Sequence, residues 1–278
     1  MEMYFFLKVF SLYLRNAPTF AYKITYKIIY SLLFHVLKMR QKTVLTNLRW
    51  AFPDKNEEWY NNTMKQCYKF FTKEFLDFIS FPKNYSSSKI KFKNLEVLSS
   101  AHAMKKGIIL VGSHYGSFDK LFYALSQEEY NLTGVAYKQN NSGADIFFKK
   151  IRENFMEDQL YKGGDVKQLK NSLVKNNILI LLSDQDAKKK GVKAKFFGID
   201  SSTHSGAAIL SKRNKSPIIY ASITSKNNIY EVEFVKINTS GSINDIVQQY
   251  TSEIEKTIIN NPEQYFWFHK RWKSVKAY

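Results

Sequence analysis

Cysteine is nearly absent. The single Cys67 in a chain of 278 residues excludes an intramolecular disulfide framework and a cysteine-cluster metal site, and it suits a cytoplasm-facing protein. Proline is scarce, at five residues, and with 44% hydrophobic and 16% aromatic content the chain is neither disordered nor fibrous. Glycine is missing before Gly107, while ten of the eleven glycines fall between Gly107 and Gly206. Long apolar runs are missing too. Lys8, Arg15, Lys23 and Lys27 interrupt the N-terminus, and its longest uncharged stretches, 16–22 and 28–37, fall short of the roughly 18 residues that mark a spanning helix. No small-residue cleavage site follows a clean apolar core, so a secretory signal fits poorly. Acids are outnumbered: 42 Lys plus Arg against 24 Asp plus Glu leave a net charge of +18. That charge calls for an anionic partner, for which nucleic acid, anionic lipid and an acidic carrier protein all qualify.

The glycine distribution divides the chain. Residues 1–95 read as helical, and residues 107–235 as short strands alternating with helices around tight turns. The runs GIILVG at 107–112 and ILILL at 178–182 are apolar throughout, the pattern of strands buried on both faces. PIIYASIT at 217–224 and IYEVEFV at 229–235 suit two more strands, and Asn227-Asn228 between them suits a hairpin turn. Helical patterns occupy 118–125, 144–156, 166–174 and 207–212, and a last one over 243–259 stops at Asn260-Asn261-Pro262. Strand, helix, strand in succession predicts an α/β fold with a central, mostly parallel sheet flanked by helices. There is no internal repeat or low-complexity linker. The expected division is a helical N-terminal region over 1–95 and an α/β domain over 96–278, built as one continuous unit.

Tyr22, Tyr26 and Tyr30 recur every fourth residue beside Lys23 and Lys27, an aromatic stripe with a basic edge, as in a helix lying at a membrane interface. The first 50 residues hold eight Lys or Arg and one acid, Glu2. Near an anionic leaflet each basic group contributes about 1 kcal/mol. A membrane-associating extension is therefore expected; the alternative packs these aromatics onto the domain beneath solvated lysines.

The segment GIILVGSHYGSFDK, 107–120, carries the chemistry. A buried strand ends at Gly112, His114 follows on the turn, and Asp119 falls in the first turn of the next helix. Ligands of open α/β sheets collect outside the carboxyl ends of the strands, where His114 would sit. With the histidine ahead of the helix, the Asp119 carboxylate is expected to reach back to one ring nitrogen. That would fix the tautomer and leave the other nitrogen as a general base. No Gly-x-Ser-x-Gly motif accompanies it, so the base is expected to act on a hydroxyl of the substrate itself. His35 and His102 lack matched partners, and His204 and His269 read as structural.

These residues resemble the His-x-x-x-x-Asp motif of the glycerolipid and lysophospholipid acyltransferases. Further segments resemble the bacterial branch that includes the late acyltransferases of lipid A biosynthesis. RQKTVLTNLRWAFP at 40–53 is similar to that branch's early Asn-Leu-x-x-x-Phe-Pro signature. YKQNN at 137–141 with KKIR at 149–152 resembles its basic acceptor-binding block. LSDQD at 182–186, FFG at 196–198 and THSG at 203–206 resemble the next block, and PEQYFWFHKRWK at 262–273 its C-terminal signature. The set runs in the family's order over residues 40–273.

The resemblance implies an α/β core with added helices and an acyltransferase. The fatty acyl chain would pass from a thioester, on acyl carrier protein or coenzyme A, to a hydroxyl or amine of a lipid acceptor. His114 would be the base and Asp119 its brace. Arg152, with Lys150 and Lys138, would grip a phosphate or carboxylate on the acceptor, since arginine offers bidentate donors. Asp184 and Gln185, after the strand at 178–182, would orient Arg152 or the acceptor. Gly198 and Thr203, ahead of the helix at 207–212, would bring backbone donors to an anion or to the carbonyl. Around Trp267 and Trp272, Lys270, Arg271 and Lys273 are expected to stay exposed. No bound cofactor and no metal site are implied. Anionic lipids are the expected surroundings, at the cytoplasmic face of the inner membrane, with peripheral, monotopic or single-anchor attachment.

Asp119 matches the glycerolipid enzymes, whereas lipid A enzymes often carry Glu there, so the acceptor stays open. A lipid A precursor, a lysophospholipid and an acylated amino-acid lipid are the alternatives. Outside enzymes, the alternative is a non-catalytic basic protein binding membrane or nucleic acid. Zinc-finger spacing, a Gly-x-x-Gly clamp and an aromatic RNP-like strand are all missing, which argues against nucleic acid.

Overall fold

The glycine-free first third folds as helices. In the computed structural model, which describes residues 1–86, 88–226 and 229–278, α1 (Glu2–Asn16) ends ahead of Pro18 and α2 (Thr19–Ser31) begins just after it. A π turn, Leu32–Val36, extends α2. Next, α3 (Gln41–Ala51) stops before Phe52-Pro53, because a residue preceding proline is driven out of the helical region. Asn56 caps the long α4 (Glu57–Ile79), accepting from the Trp59 amide at 2.9 Å, and Glu57 and Glu58 oppose the helix dipole in its first turn. The short α5 (Lys83–Ser86) closes this region.

Beyond it the chain alternates. The strands are β1 (Lys89–Lys93), β2 (Ile108–Gly112), β3 (Leu132–Ala136), β4 (Asp158–Tyr161), β5 (Ile178–Leu182), β6 (Val192–Phe196), β7 (Ile199–Thr203), β8 (Ile218–Lys226) and β9 (Ile229–Ile237). The helices between and after them are α6 (Leu95–Ala103), α7 (Phe118–Gln127), α8 (Ser142–Arg152), α9 (Val166–Val174), α10 (Gly206–Asn214) and α11 (Ile243–Asn260). Seven strands form one sheet in the order β1-β9-β8-β2-β5-β3-β4, parallel throughout except between β8 and β9. The turn expected at Asn227-Asn228 lies outside the described residues. All of β2 is buried, which is why its sequence reads as an unbroken apolar run. At one edge β1 keeps Lys89, Lys91 and Lys93 exposed, charges that discourage further strand pairing.

The sheet is covered on both faces. One core packs α3, α4, α10, α11 and the aromatic segment after it against Ile109, Val111, Leu179 and Leu181. The other packs α1, α6, α7 and α8 against Ile108, Leu110, Ile178 and Ile180. The N-terminal helices share this second core, since Leu7 and Leu14 are buried with Phe147 and Ile151. The tyrosine stripe of α2 turns inward, not outward. Tyr22 Oη donates to Asp77 Oδ1 at 2.5 Å, and Tyr26 Oη to the Lys69 carbonyl at 3.4 Å. The outward face consists of Phe5, Phe6, Val9 and Leu12 on α1 with Phe20, Ile24 and Ile28 on α2, all exposed. No helix among the described residues is long and apolar enough to cross a membrane.

Strands β1, β3, β4 and the antiparallel hairpin β6–β7 are short and partly polar, with apolar periodicity too weak to announce a strand. The hairpin corrects the expectation for Gly198. Phe197 and Gly198 form its tight turn, both with positive φ (52° and 69°), as the two-residue turn that matches strand twist requires. An added Cβ at Gly198 would meet nothing within 4 Å, so the backbone conformation is what asks for glycine.

Candidate active site

The chain leaves β2 at Gly112 and turns into α7 through Ser113-His114-Tyr115-Gly116-Ser117. Gly116 has φ +60°, and a Cβ there would lie 1.7 Å from the Ile223 carbonyl oxygen, so the turn admits only glycine. The segment following α11 pins it from outside: the Gly116 amide donates to the Gln264 carbonyl at 2.8 Å, and the Phe266 amide to the His114 carbonyl at 2.9 Å. His114 is thereby held at the carboxyl end of the sheet, with its ring against Phe118.

The carboxylate on His114 Nδ1 is Asp184, at 2.9 Å, not Asp119. Sheet register explains this. Gly112 pairs with Leu182 across β2 and β5, so His114 and Asp184 each stand two residues beyond neighbouring strand ends. Asp119, in the first turn of α7, makes no hydrogen bond among the described residues and lines the same cavity as His114 and Arg152. Burial opposes the charged forms of both partners in the His114–Asp184 pair. Their mutual attraction wins, raising the His114 pKa above its ordinary value and lowering that of Asp184. The backbone amides of Asp184 and His114 favour the Asp184 carboxylate in the same sense. With Nδ1 donating to a carboxylate, the neutral ring presents an unprotonated Nε2, which has no protein partner among the described residues.

His114 belongs to the wall of a cavity of about 500 Å³. The cavity wraps the carboxyl ends of β3, β4 and β5, and the alternation of side chains along those strands gives it two sides. Toward α7 and α8 it is lined by Phe118, Asp119, Arg152, Met156, Gln159 and Ile180; toward α9 and α10, by Val135, Leu160, Leu169, Leu181 and Leu210. Arg152, at the end of α8, donates through Nε to Gln159 Oε1, while its Nη2 and Gln159 Nε2 are buried without partners. Burial pulls the Arg152 pKa down, with Asp119, Tyr161 and Asp145 acting against that. Burial lifts the Asp119 pKa to about 7 despite Arg152 and His114 nearby, and Glu74 adds to the lift. At the rim, Lys162 Nζ lies 3.1 Å from His204 Nε2 and 4.5 Å from the centre of the Tyr137 ring. Burial, followed by Lys162, pushes the His204 pKa down to about 4, which leaves its ring neutral.

The structure thus brings His114, Asp119, Arg152 and Gln185 to one cavity, with Asp184 directly behind His114. Gln185 Nε2 lies 3.5 Å from His114 Nδ1. It does not bring Lys138, Lys150, Gly198 or Thr203 to the cavity wall. Lys138 is exposed on the loop before α8, and Lys150 Nζ turns to the Tyr4 hydroxyl at 3.1 Å on α1. Thr203 is buried, its Oγ1 accepting from Arg271 at 2.7 Å. Arg271 is itself buried, contrary to the exposed role expected of it. It also donates to the Ser202 carbonyl at 2.8 Å and to Ser201 Oγ at 3.1 Å, tying the segment after α11 to the β6–β7 hairpin.

Two features escaped the sequence reading. Gln159 lies on β4, a short strand without apolar alternation, and its pairing with Gly134 of β3 puts it beside the site. Beneath α7, buried Lys120 donates to Asp77 at 2.8 Å, Glu74 at 3.0 Å and the Tyr230 hydroxyl at 3.1 Å. An Asp-Lys pair opening a helix gave no sign that its lysine points inward.

A histidine held by a buried carboxylate at the mouth of an α/β sheet, on the wall of a cavity, has the arrangement of a general base. No curated protein matches the chain. Residues 2–274 match the family model described as bacterial lipid A biosynthesis acyltransferase, nearly the whole chain, and this protein therefore belongs to that family of acyltransferases.

Proposed function

We propose that the protein moves a fatty acyl chain from a thioester donor, carried on acyl carrier protein or coenzyme A, to a hydroxyl of a lipid A precursor at the cytoplasmic face of the inner membrane. The observation that carries this reading is the His114–Asp184 pair, 2.9 Å apart, with His114 on the cavity wall. His114 Nε2 takes the proton of the acceptor hydroxyl as its oxygen attacks the thioester carbonyl carbon. The new C–O bond forms, the C–S bond breaks, and the departing thiolate takes the proton back from the imidazolium. Asp184 holds the tautomer and stabilises the imidazolium while it exists.

Arg152 and Gln159 supply donors for an anionic group of the acceptor, with Asp119 and Gln185 beside it. The net charge of +18 favours encounter with an acidic carrier or a phosphate-bearing donor, and with anionic lipid. The exposed apolar face of α1 and α2, flanked by Lys8, Lys23 and Lys27, suits a helix pair lying in a membrane surface.

The test is transfer by the purified protein from acyl carrier protein and coenzyme A thioesters to a lipid A precursor. His114→Ala should lose roughly 10²–10⁴-fold in rate with an unchanged circular dichroism spectrum. Near-normal activity in that variant overturns the assignment. Mass spectrometry of lipids from cells lacking the protein identifies the acceptor by the species that loses one acyl chain.

A further inference from the structure

Strand β8 loses a neighbour where the turn bearing His114 begins. It pairs with β2 only through Ile218, Ile219 and Tyr220, because β2 ends at Gly112 and the chain departs toward α7. From there β8 runs on to Lys226 with β9 alone beside it. Backbone groups on the side that β2 has left need other partners, since an unpaired buried amide or carbonyl is costly. At Ser225 the partner is a side chain. Gln264 accepts from the Ser225 amide at 2.9 Å through Oε1 and donates to the Ser225 carbonyl at 2.7 Å through Nε2. A primary amide carries the same donor and acceptor as a peptide group, so Gln264 acts as one residue of a substitute strand.

The main chain of Gln264 reaches the turn itself, its carbonyl accepting from the Gly116 amide at 2.8 Å. One residue therefore bonds both to β8 and to the segment that has left it. Among the described residues, the other hydrogen bond between turn and β8 joins Tyr115 Oη and Thr224 Oγ1, long at 3.3 Å. On the opposite side of β2 stands β5, whose extension carries Asp184 to His114 Nδ1. The turn is spanned between these two neighbours. Released from β8, it would be free to drift, and the bond from His114 to Asp184 would loosen. Gln264 is 4% exposed and lies off the cavity wall, so its influence passes through the turn and not through contact with a substrate.

We propose that Gln264 is a positioning residue for acyl transfer: by completing the open edge of β8 and holding Gly116, it keeps the His114 ring on Asp184. This rests on the acyl-transfer reading above.

The experiment compares wild type with Gln264→Met, which keeps most of the side chain's volume and removes both of its hydrogen bonds. Gln264→Asn keeps the amide but shortens its reach by one methylene. Ser211→Ala, which deletes a buried hydrogen bond to the Ser216 carbonyl, is the control for stability alone. Kinetics are measured well below each melting temperature. In Gln264→Met, kcat should fall roughly 10- to 100-fold, as misplacement of a catalytic group does, with KM for donor and acceptor within about twofold. The acidic limb of the pH profile should move to lower pH, because a histidine further from its carboxylate binds its proton less tightly. Gln264→Asn should show the same changes to a smaller degree, and it decides the question alone if Gln264→Met does not fold. Ser211→Ala should keep the wild-type kcat and limb. A lowered melting temperature with wild-type kcat and limb shows a merely structural glutamine and overturns the proposal, as does a lowered kcat with an unmoved limb. A second readout needs no turnover: the titration of His114 by NMR on protein with ¹³C-labelled histidine, its signal assigned by its loss in His114→Ala. That signal should titrate at lower pH in Gln264→Met than in wild type, and an unchanged midpoint overturns the proposal. If wild type transfers no acyl chain to any lipid, the parent reading fails instead, and the titration still reports whether Gln264 keeps His114 on Asp184.

Discussion

His114 and Asp184 meet because β2 and β5 are neighbours in register, with Gly112 opposite Leu182 and one residue of each pair two positions further on. The hydrogen bond of 2.9 Å is thus a property of the sheet, and the local spacing to Asp119 does not produce it. Asp184→Asn removes the charge that favours the imidazolium while leaving the burial that opposes it. The His114 pKa is raised above 6.5 in the wild type. The acidic limb of kcat/KM against pH, where rate rises as the imidazolium loses its proton, should accordingly lie above 6.5. In Asp184→Asn the limb should move to lower pH, with the plateau reduced about 10²-fold or more. A limb that stays in place shows that Asp184 does not govern the base.

Arg152→Ala removes the cation facing the acceptor side. A charge-assisted hydrogen bond contributes roughly 1.5–3 kcal/mol, so KM for the acceptor should rise roughly 10- to 100-fold with a smaller change in kcat. Arg152→Lys should recover only part of this, because an ammonium lacks the planar fork. Steady-state kinetics with the acceptor varied at saturating donor measure the split.

Much of the architecture was readable from the chain, for physical reasons. Strands β2 and β5 are buried on both faces and so carry unbroken apolar runs, and the missing glycines of the first third match its helices. The strands that went unread are amphipathic or edge segments: KIKFK in β1 and DQLY in β4 have polar residues wherever solvent or α8 permits them. His114 was found because a histidine after a buried strand falls at the carboxyl edge of the sheet. Its partner was misassigned because pairing between β2 and β5 is a long-range fact, separated by 70 residues, which local spacing does not encode. Lys150 and Arg152 are two positions apart on α8, too close for both to face one side, and only Arg152 points into the cavity.

Lys120 is buried between Glu74 and Asp77, at 3.0 and 2.8 Å. Burial opposes its charge, but the two carboxylates hold its pKa above the ordinary value. Lys120→Ala removes one of the two lysines that hold these acids, leaving Lys73 at 2.8 Å from Asp77 and 3.7 Å from Glu74, and should cost about 1–3 kcal/mol. Asp77 has a depressed pKa in the folded protein, so its contribution is full above 3.8, the ordinary value, and is lost as pH falls through the depressed one. In the variant that acid-unfolding limb should move to higher pH. Thermal and acid denaturation followed by circular dichroism check both shifts.

Gly116→Ala places a methyl carbon against the Ile223 carbonyl, where only 1.7 Å is available. The turn must shift, so acyl transfer should fall sharply and the melting temperature with it. A Gly198→Ala control strains only an exposed hairpin turn and should leave the rate near wild type.

Ile24→Glu with Ile28→Glu puts two acids on the exposed face of α2. Sedimentation with anionic vesicles should show weaker binding than wild type, and wild-type binding itself should weaken as salt rises. Unaltered sedimentation removes α2 from the membrane contact.

The turn bearing His114 receives the Phe266 amide and gives the Gly116 amide to Gln264, both on the segment that follows α11. During synthesis every strand of the sheet has left the ribosome before that segment does. A nascent chain paused ahead of Pro262 therefore possesses base and brace but no clamp on the turn between them. The order of synthesis thus puts the clamp on this turn after the histidine, its carboxylate partner and the strands that carry them.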